Sequence, residues 1–393
     1  MKYSTRSEVD AAPSPLALAL SAVAAAGPDA IDLTISNPTR VGLSYAAYGA
    51  FGELAARGML TYSPDPLGLE SARQAVAQHW PGRGPRPDPE HVLLLPSSSE
   101  AYHYLFTLLC DVGDEVLIPE PSYPLLAHLG QYAGVSLLPY QLAYDGAWHI
   151  DVESARRAQS ERTRALVLVS PNNPTGSYTS QAELDALAEL GLPLVSDEVF
   201  ARFAFSPNTS APLSALGATG ALTFCIDGLS KSAGLPQAKL SWLAASGPSE
   251  AVRESMRRLT WLGDTFLSVA TPIQLMLPAL LERSGEFRAG LLDRLLHNRD
   301  TLERALAGSA ATLLAAEGGW YAVVRLPDVA SEEEWVIGLL ANAAVLTHPG
   351  HFYDFRGPAP HLVLSLLPEP MTFTEAARAL RREVDRRVLP ERH

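Results

Sequence analysis

The feature that most constrains this chain is a rhythm: short apolar runs alternate with longer stretches of helical periodicity. Seven runs read as strands, at His91–Leu95, Glu115–Pro119, Val135–Tyr140, Ala165–Ser170, Pro193–Asp197, Leu222–Asp227 and Lys239–Ala245. Several are continuously apolar, as strands buried on both faces must be. Helix-like stretches lie between them, at Glu100–Cys110, Tyr123–Tyr132 and Ser180–Leu190. Strand, helix, strand in this order predicts a mostly parallel seven-stranded sheet covered by helices, an α/β architecture. In such sheets ligands settle at the carboxyl ends of the strands.

From about Pro272 to Ala307 the pattern turns helical, with Leu291, Leu292, Leu295 and Leu296 on one side, until Gly318-Gly319 breaks it. A shorter strand-rich part follows (Tyr321–Leu326, Val345–Thr347, His361–Leu367). A basic amphipathic helix near Thr374–Arg387 closes it. The expected division is a large domain over residues 41–290 and a smaller α+β domain formed by 1–40 and 291–393. The leading arm joins the second because it needs a surface on which to bury its apolar side.

The apolar stretch Pro13–Gly27 mimics a signal-peptide core. Glu8 and Asp10 precede it, however, and prolines interrupt its start, so a helix packed on the body is expected, with no membrane partner. The chain has 393 residues, 47% hydrophobic and 19% charged, which suits a folded globular protein. Its net charge of −13 repels phosphate backbones, so nucleic acid is not an expected partner. The two cysteines, Cys110 and Cys225, both lie in apolar runs. Buried free thiols and a reducing, cytoplasmic setting follow.

Lysine usage points to chemistry. Of the 30 Lys and Arg residues only three are lysine: Lys2, Lys231 and Lys239. A chain that uses arginine wherever charge suffices keeps an interior lysine for something arginine cannot do. Lysine can lose its proton when desolvated and attack a carbonyl. Lys231 sits in Gly228-Leu229-Ser230-Lys231-Ser232-Ala233-Gly234, a small-residue loop past an apolar strand, where a cofactor could come close.

Four other strand-end loops carry companions. Pro96-Ser97-Ser98-Ser99-Glu100 offers hydroxyls and a helix N-terminus, which suit a phosphate. Pro121-Ser122-Tyr123-Pro124 places an aromatic that could stack on a flat ring. Ser170-Pro171-Asn172-Asn173-Pro174-Thr175-Gly176 fixes a tight loop bearing an amide. Ser196-Asp197-Glu198-Val199 ends a strand on a carboxylate that needs a cationic partner. Taken singly, each has an ordinary reading as a cap, a packing aromatic, a turn or a local ion pair.

Together they resemble the fold-type I, pyridoxal-phosphate-dependent aminotransferases of class I/II, over nearly the whole chain from Ser36-Asn37-Pro38 to His361–Leu367. The resemblance implies pyridoxal 5′-phosphate carried as an imine on Lys231, which then moves the substrate's Cα proton. It implies that Asp197 pairs with the pyridine nitrogen, Asn173 donates to the ring oxygen, Tyr123 stacks on the ring, and Ser97, Ser98 and Ser99 hold the phosphate. Tyr62 resembles a tyrosine that reaches the phosphate of the neighbouring subunit, which implies a homodimer with shared active sites. The implied reaction moves an amino group between an amino acid and a 2-oxo acid. Alternatives on the same fold are a C–S β-lyase, a cyclase, a decarboxylase or a non-catalytic ligand sensor.

Three positions depart from that pattern. Lys239 stands where an arginine usually grips the phosphate, keeping the charge and losing the bidentate fork. Phe200 stands where a tyrosine usually donates to the ring oxygen, which should raise the pKa of the imine. Val363, in His361-Leu362-Val363-Leu364-Ser365, stands where an arginine usually binds the substrate carboxylate. Substitutes to consider are Ser36, Asn37, Arg40, His361, Arg356 and His351. The histidines His348, His351 and His361 lack the spacing of a metal site, and no metal is expected.

Overall fold

The computed structural model describes residues 14–26, 30–44, 64–81, 84–206, 214–218 and 220–388. Tyr62, expected to reach a neighbouring subunit, lies outside the described residues, as does Lys2.

The strands, in chain order, are β1 (Ile31–Asp32), β2 (Val92–Leu95), β3 (Glu115–Glu120), β4 (Ser136–Tyr144), β5 (Trp148–Ile150), β6 (Thr163–Val169), β7 (Leu194–Asp197), β8 (Thr223–Gly228), β9 (Ser241–Ser246), β10 (Thr312–Leu313), β11 (Tyr321–Arg325), β12 (Val345–Leu346), β13 (His348–Pro349) and β14 (His361–Ser365). The large sheet runs β2-β9-β8-β7-β6-β3-β4-β5. It holds the seven expected strands and an eighth, β5, a three-residue hairpin partner of β4. The sequence signal missed β5 because three residues are too few to show alternation. The pairs β3–β4, β3–β6, β6–β7 and β7–β8 are parallel. Strand β9 runs antiparallel to both of its neighbours.

Alternate side chains of each strand enter different cores. Val92 and Leu94 pack on one side of the sheet with Leu166 and Leu168; Leu93 and Leu95 pack on the other with Ala165 and Val167. Both faces are covered, so these strands have no polar face to alternate with, and they read as continuous apolar runs.

The Thr271–Leu306 helix is 36 residues long, about 54 Å at 1.5 Å per residue. It buries Leu277, Leu281, Leu291, Leu295 and Leu302 along one stripe. Beyond it, β10-β11-β14-β13 form an antiparallel sheet. The N-terminal segment is stitched to this part: β1 pairs in parallel with β12, Ile31 opposite Val345. The Pro15–Ala26 helix is where the apolar leading stretch was expected to fold, and Leu16 on it enters the core. Among the described residues no helix is long and apolar enough to cross a membrane. Cys225 is buried, whereas Cys110, expected to be buried, is only partly so, because it sits at the C-terminal cap of the Ser98–Leu109 helix and packs on the edge of the core; neither thiol is in a disulfide.

Candidate active site

The carboxyl ends of β2, β6, β7 and β8 converge on a cavity of ≈ 250 Å³. The loop after each strand contributes one of the singled-out side chains. Ser97, Ser98 and Ser99 follow β2, Asn173 follows β6, Asp197 ends β7, and Ser230 and Lys231 follow β8. Tyr123 comes from the loop after β3, Ser36 from the N-terminal segment and Tyr321 from the start of β11.

Lys231 lies on one helical turn, Leu229–Ser232, pinned by the Ser232 hydroxyl donating to the Gly228 carbonyl at 2.7 Å. Its Nζ sits 5.1 Å from the ring centre of Trp320 and 5.7 Å from that of Phe200. Burial pushes the Lys231 ammonium down to about 8, with Asp197 pulling in the opposite direction. The amine is therefore available as a base just above neutral pH.

Asp197 is the buried counterpart. Its Oδ2 accepts from the Tyr102 hydroxyl at 3.1 Å, and its Oδ1 accepts from the Val199 amide at 3.2 Å. Desolvation outweighs both bonds and lifts its carboxyl to about 6. Such a group is stabilised by a cation brought beside it.

The two adjacent asparagines divide their work. Asn172 is structural: its Oδ1 accepts from the Thr175 hydroxyl at 3.0 Å and its amide donates to the Pro121 carbonyl at 3.4 Å. Asn173 is buried with its Oδ1 unpartnered. The serines open the Ser98–Leu109 helix, and Ser97 caps it by accepting from the Glu100 amide at 3.2 Å. The N-terminus of this helix, where backbone N–H groups lack helical partners, faces the cavity.

Of the residues considered for the substrate, Ser36 lines the cavity and the others do not. Asn37 caps its own turn, accepting from the Thr39 amide and hydroxyl at 3.0 and 2.7 Å. Arg40 is exposed at the end of that turn. His361 stacks on Phe355, ring centres 4.7 Å apart, in a second cavity of ≈ 230 Å³ that also holds Arg356. Arg356 is paired with Glu120, and His351 with Glu332. Lys239, expected at the phosphate, is exposed and left-handed at φ 49°, and does not line the cavity. Phe200 is buried edge-on against Trp320 and Tyr321, and Val363 is buried in β14.

Tyr102, Ser230 and Tyr321 are polar cavity residues that the sequence reading did not select, and Leu125, Leu126, Leu129, Val169 and Pro236 are apolar ones. Tyr102 had a signal: it is four residues after Ser98, hence on the same helix face.

The sequence profile of the aminotransferase class I and II family matches residues 28–377. The chain belongs to the class I and II aminotransferases. It is 31% identical to an alanine aminotransferase of Mycobacterium bovis over 319 residues, 77% of this chain and 73% of that one. It is 25% identical to a glutamate-pyruvate aminotransferase of Haemophilus influenzae over 330 residues, 81% of each. The fold is shared with the alanine aminotransferase of Pyrococcus furiosus, at a TM-score of 0.87 and 23% identity over 98% of this chain and 100% of that one.

This aminotransferase therefore transfers amino groups with pyridoxal 5′-phosphate, and the residues present fit that group. Asn173 presents its side-chain amide in the cavity wall, and among the described residues no cation is bonded to the desolvated Asp197 carboxyl. The helix N-terminus with its serines offers donors to an anion, and Lys231 is an amine able to shed its proton.

Proposed function

We propose that this aminotransferase takes an amino group from an amino acid with an uncharged side chain, releases a 2-oxo acid, and passes the group to a second 2-oxo acid. The observation that carries this reading is Lys231 and Asp197 facing one buried cavity. Leu125, Leu126, Leu129 and Val199 line the same cavity and favour apolar side chains over charged ones.

In this reading Ser97, Ser98, Ser99 and the helix N-terminus hold the phosphate, Asp197 faces the pyridine nitrogen, Asn173 faces the ring oxygen, and Tyr123 lies against the ring. When bound, the cofactor supplies a carbonyl carbon that accepts the amino group and a ring that withdraws electrons from the substrate Cα. Lys231 Nζ would take the proton from the substrate Cα and deliver it to the cofactor carbon that has received the nitrogen. Phe200 and Trp320 keep water from that amine. The large part (41–290) holds the cofactor, and the small part (1–40 and 291–393) closes the substrate side. The working unit is a homodimer, and free Cys110 and Cys225 fit a cytoplasmic enzyme.

The test is a half-reaction. Purified holoenzyme mixed with L-alanine should lose the absorption of the lysine-bound cofactor, and pyruvate should restore it. Lys231→Ala should slow that change by about 10²–10⁴-fold, the range of general acid–base contributions. No change in absorption with L-alanine, together with release of ammonia and pyruvate from L-cysteine or L-serine, would sink the reading.

A further inference from the structure

Amino acids and 2-oxo acids carry a carboxylate, and a buried carboxylate needs donors. Among the described residues lining the cofactor cavity, Lys231 is the single cation, and its amine is committed to the proton at Cα. The sheet register shows what stands nearby on the cavity side. Directly opposed residues of an antiparallel pair share a face, and so do residues two apart along a strand.

Tyr321 of β11 lines the cavity. Two residues on, Val323 opposes Val363 of β14, and Val363 opposes His348 of β13. Tyr321, Val323, Val363 and His348 therefore share one face, with the β-carbons of His348 and Val363 roughly 5 Å apart. The Nδ1 of His348 lies 3.1 Å from the Tyr353 hydroxyl. The Tyr353 carbonyl in turn accepts from the Ser122 amide at 3.0 Å, which ties it to the loop that presents Tyr123. Neither His348 nor Tyr353 is itself a wall of the cavity; Tyr353 is buried next to it, where burial and then the nearby Tyr321 and Tyr123 hydroxyls, both cavity walls, raise its pKa.

We propose that His348 and Tyr353 together receive the substrate carboxylate: His348 Nδ1–H donates to the Tyr353 oxygen, and the Tyr353 O–H donates to the carboxylate. Burial disfavours the charged ring of His348, and Asp32 favours it. A carboxylate beyond Tyr353 adds a second negative charge on the same chain of donors. Such a relay provides one charge-assisted bond in place of the two parallel bonds an arginine fork would make. The assignment rests on the transfer reaction proposed above and deepens it by naming the residues that select the acid group.

The experiment compares L-tyrosine with tyramine, which lacks the carboxylate, as amino donors to the holoenzyme, read by the cofactor absorption. Tyr353→Phe and His348→Ala should each raise KM for L-tyrosine by about 10- to 100-fold, as losing a hydrogen bond to a charged group does. The change in kcat should stay below about threefold. KM for tyramine should not move, and His348→Arg should recover part of the loss. An unchanged KM for L-tyrosine in Tyr353→Phe, or equal losses for both donors, would overturn the assignment while leaving the transfer reaction standing. Failure of the unaltered enzyme to take an amino group from any donor would overturn the transfer reaction and this assignment with it.

Discussion

At the scale of single residues, the site depends on two buried ionisable groups pulled in opposite directions by the same cause. Desolvation lowers the Lys231 ammonium to about 8 and lifts the Asp197 carboxyl to about 6. The sign for lysine is definite. Between pH 8 and its ordinary value near 10.5 the unfolded chain holds a proton that the folded chain has lost. This group's contribution to folding therefore improves as pH rises through that window. In cofactor-free protein, modification of Lys231 by an amine-specific reagent should climb from pH 7 and level off above about pH 9, while a denatured control keeps climbing towards about pH 10.4. Peptide mapping that placed the folded-state midpoint near 10 would contradict this. Lys231 was legible in the sequence because the chain is so sparing of lysine. Tyr102 had only its place one turn after Ser98 as a signal, which was masked because an aromatic on a helix flanked by Leu105 and Phe106 reads as core and its bond to Asp197 spans 95 residues. His348 was read only as a poor metal ligand, since nothing in sequence spacing shows that it stands across from Val363.

At the scale of elements, the seven large-sheet strands were legible to within a few residues, because burial on both faces leaves an unbroken apolar run. The loops after them were legible as chemistry. Their positions relative to one another were not, since β2 and β9 pair across about 150 residues of chain. Gly228 shows what holds the Lys231 turn in place. Its φ of −179° is ordinary extended backbone, so its constraint is space and not strain. A β-carbon there would meet Ser241 Oγ at 2.2 Å and Ser241 Cα at 2.9 Å on the neighbouring strand. Gly228→Ala should therefore cost about 1–3 kcal/mol by overpacking and shift the Lys231 turn. The expected readouts are a lower denaturation midpoint and weakened cofactor retention. Wild-type values for both would show that the β8–β9 spacing is softer than this close approach implies.

At the scale of the whole molecule, the N-terminal segment is tied to the later part of the chain, because β1 and β12 form a two-stranded sheet of their own and the Pro15–Ala26 helix buries Leu16 in the common core. The expectation of a homodimer rests on the likeness of Tyr62, outside the described residues, to a residue of the family. The described surface adds Trp261, 68% exposed, and Phe266, 56% exposed, on the Ser249–Phe266 helix, apolar area that a second copy would cover. Sedimentation should give twice 42.1 kDa, and Trp261→Glu with Phe266→Glu should return the mass to 42.1 kDa with looser cofactor binding. A wild-type mass of 42.1 kDa at micromolar concentration would defeat the homodimer. One contact joins the Asn173 loop beside the candidate site to the turn before β11. Gly176, closing the Asn173 loop, accepts through its carbonyl from the Glu317 and Gly318 amides at 3.0 Å each, at the turn that leads into β11. A β-carbon on Gly176 would come within 2.5 Å of the Gly318 carbonyl, so there is little slack between them. A shift of the wall bearing Tyr321 should therefore carry the loop holding Asn173 with it. The tint of the bound cofactor should thus behave as a strain gauge for the distant sheet, changing with ligand size even before any bond is broken.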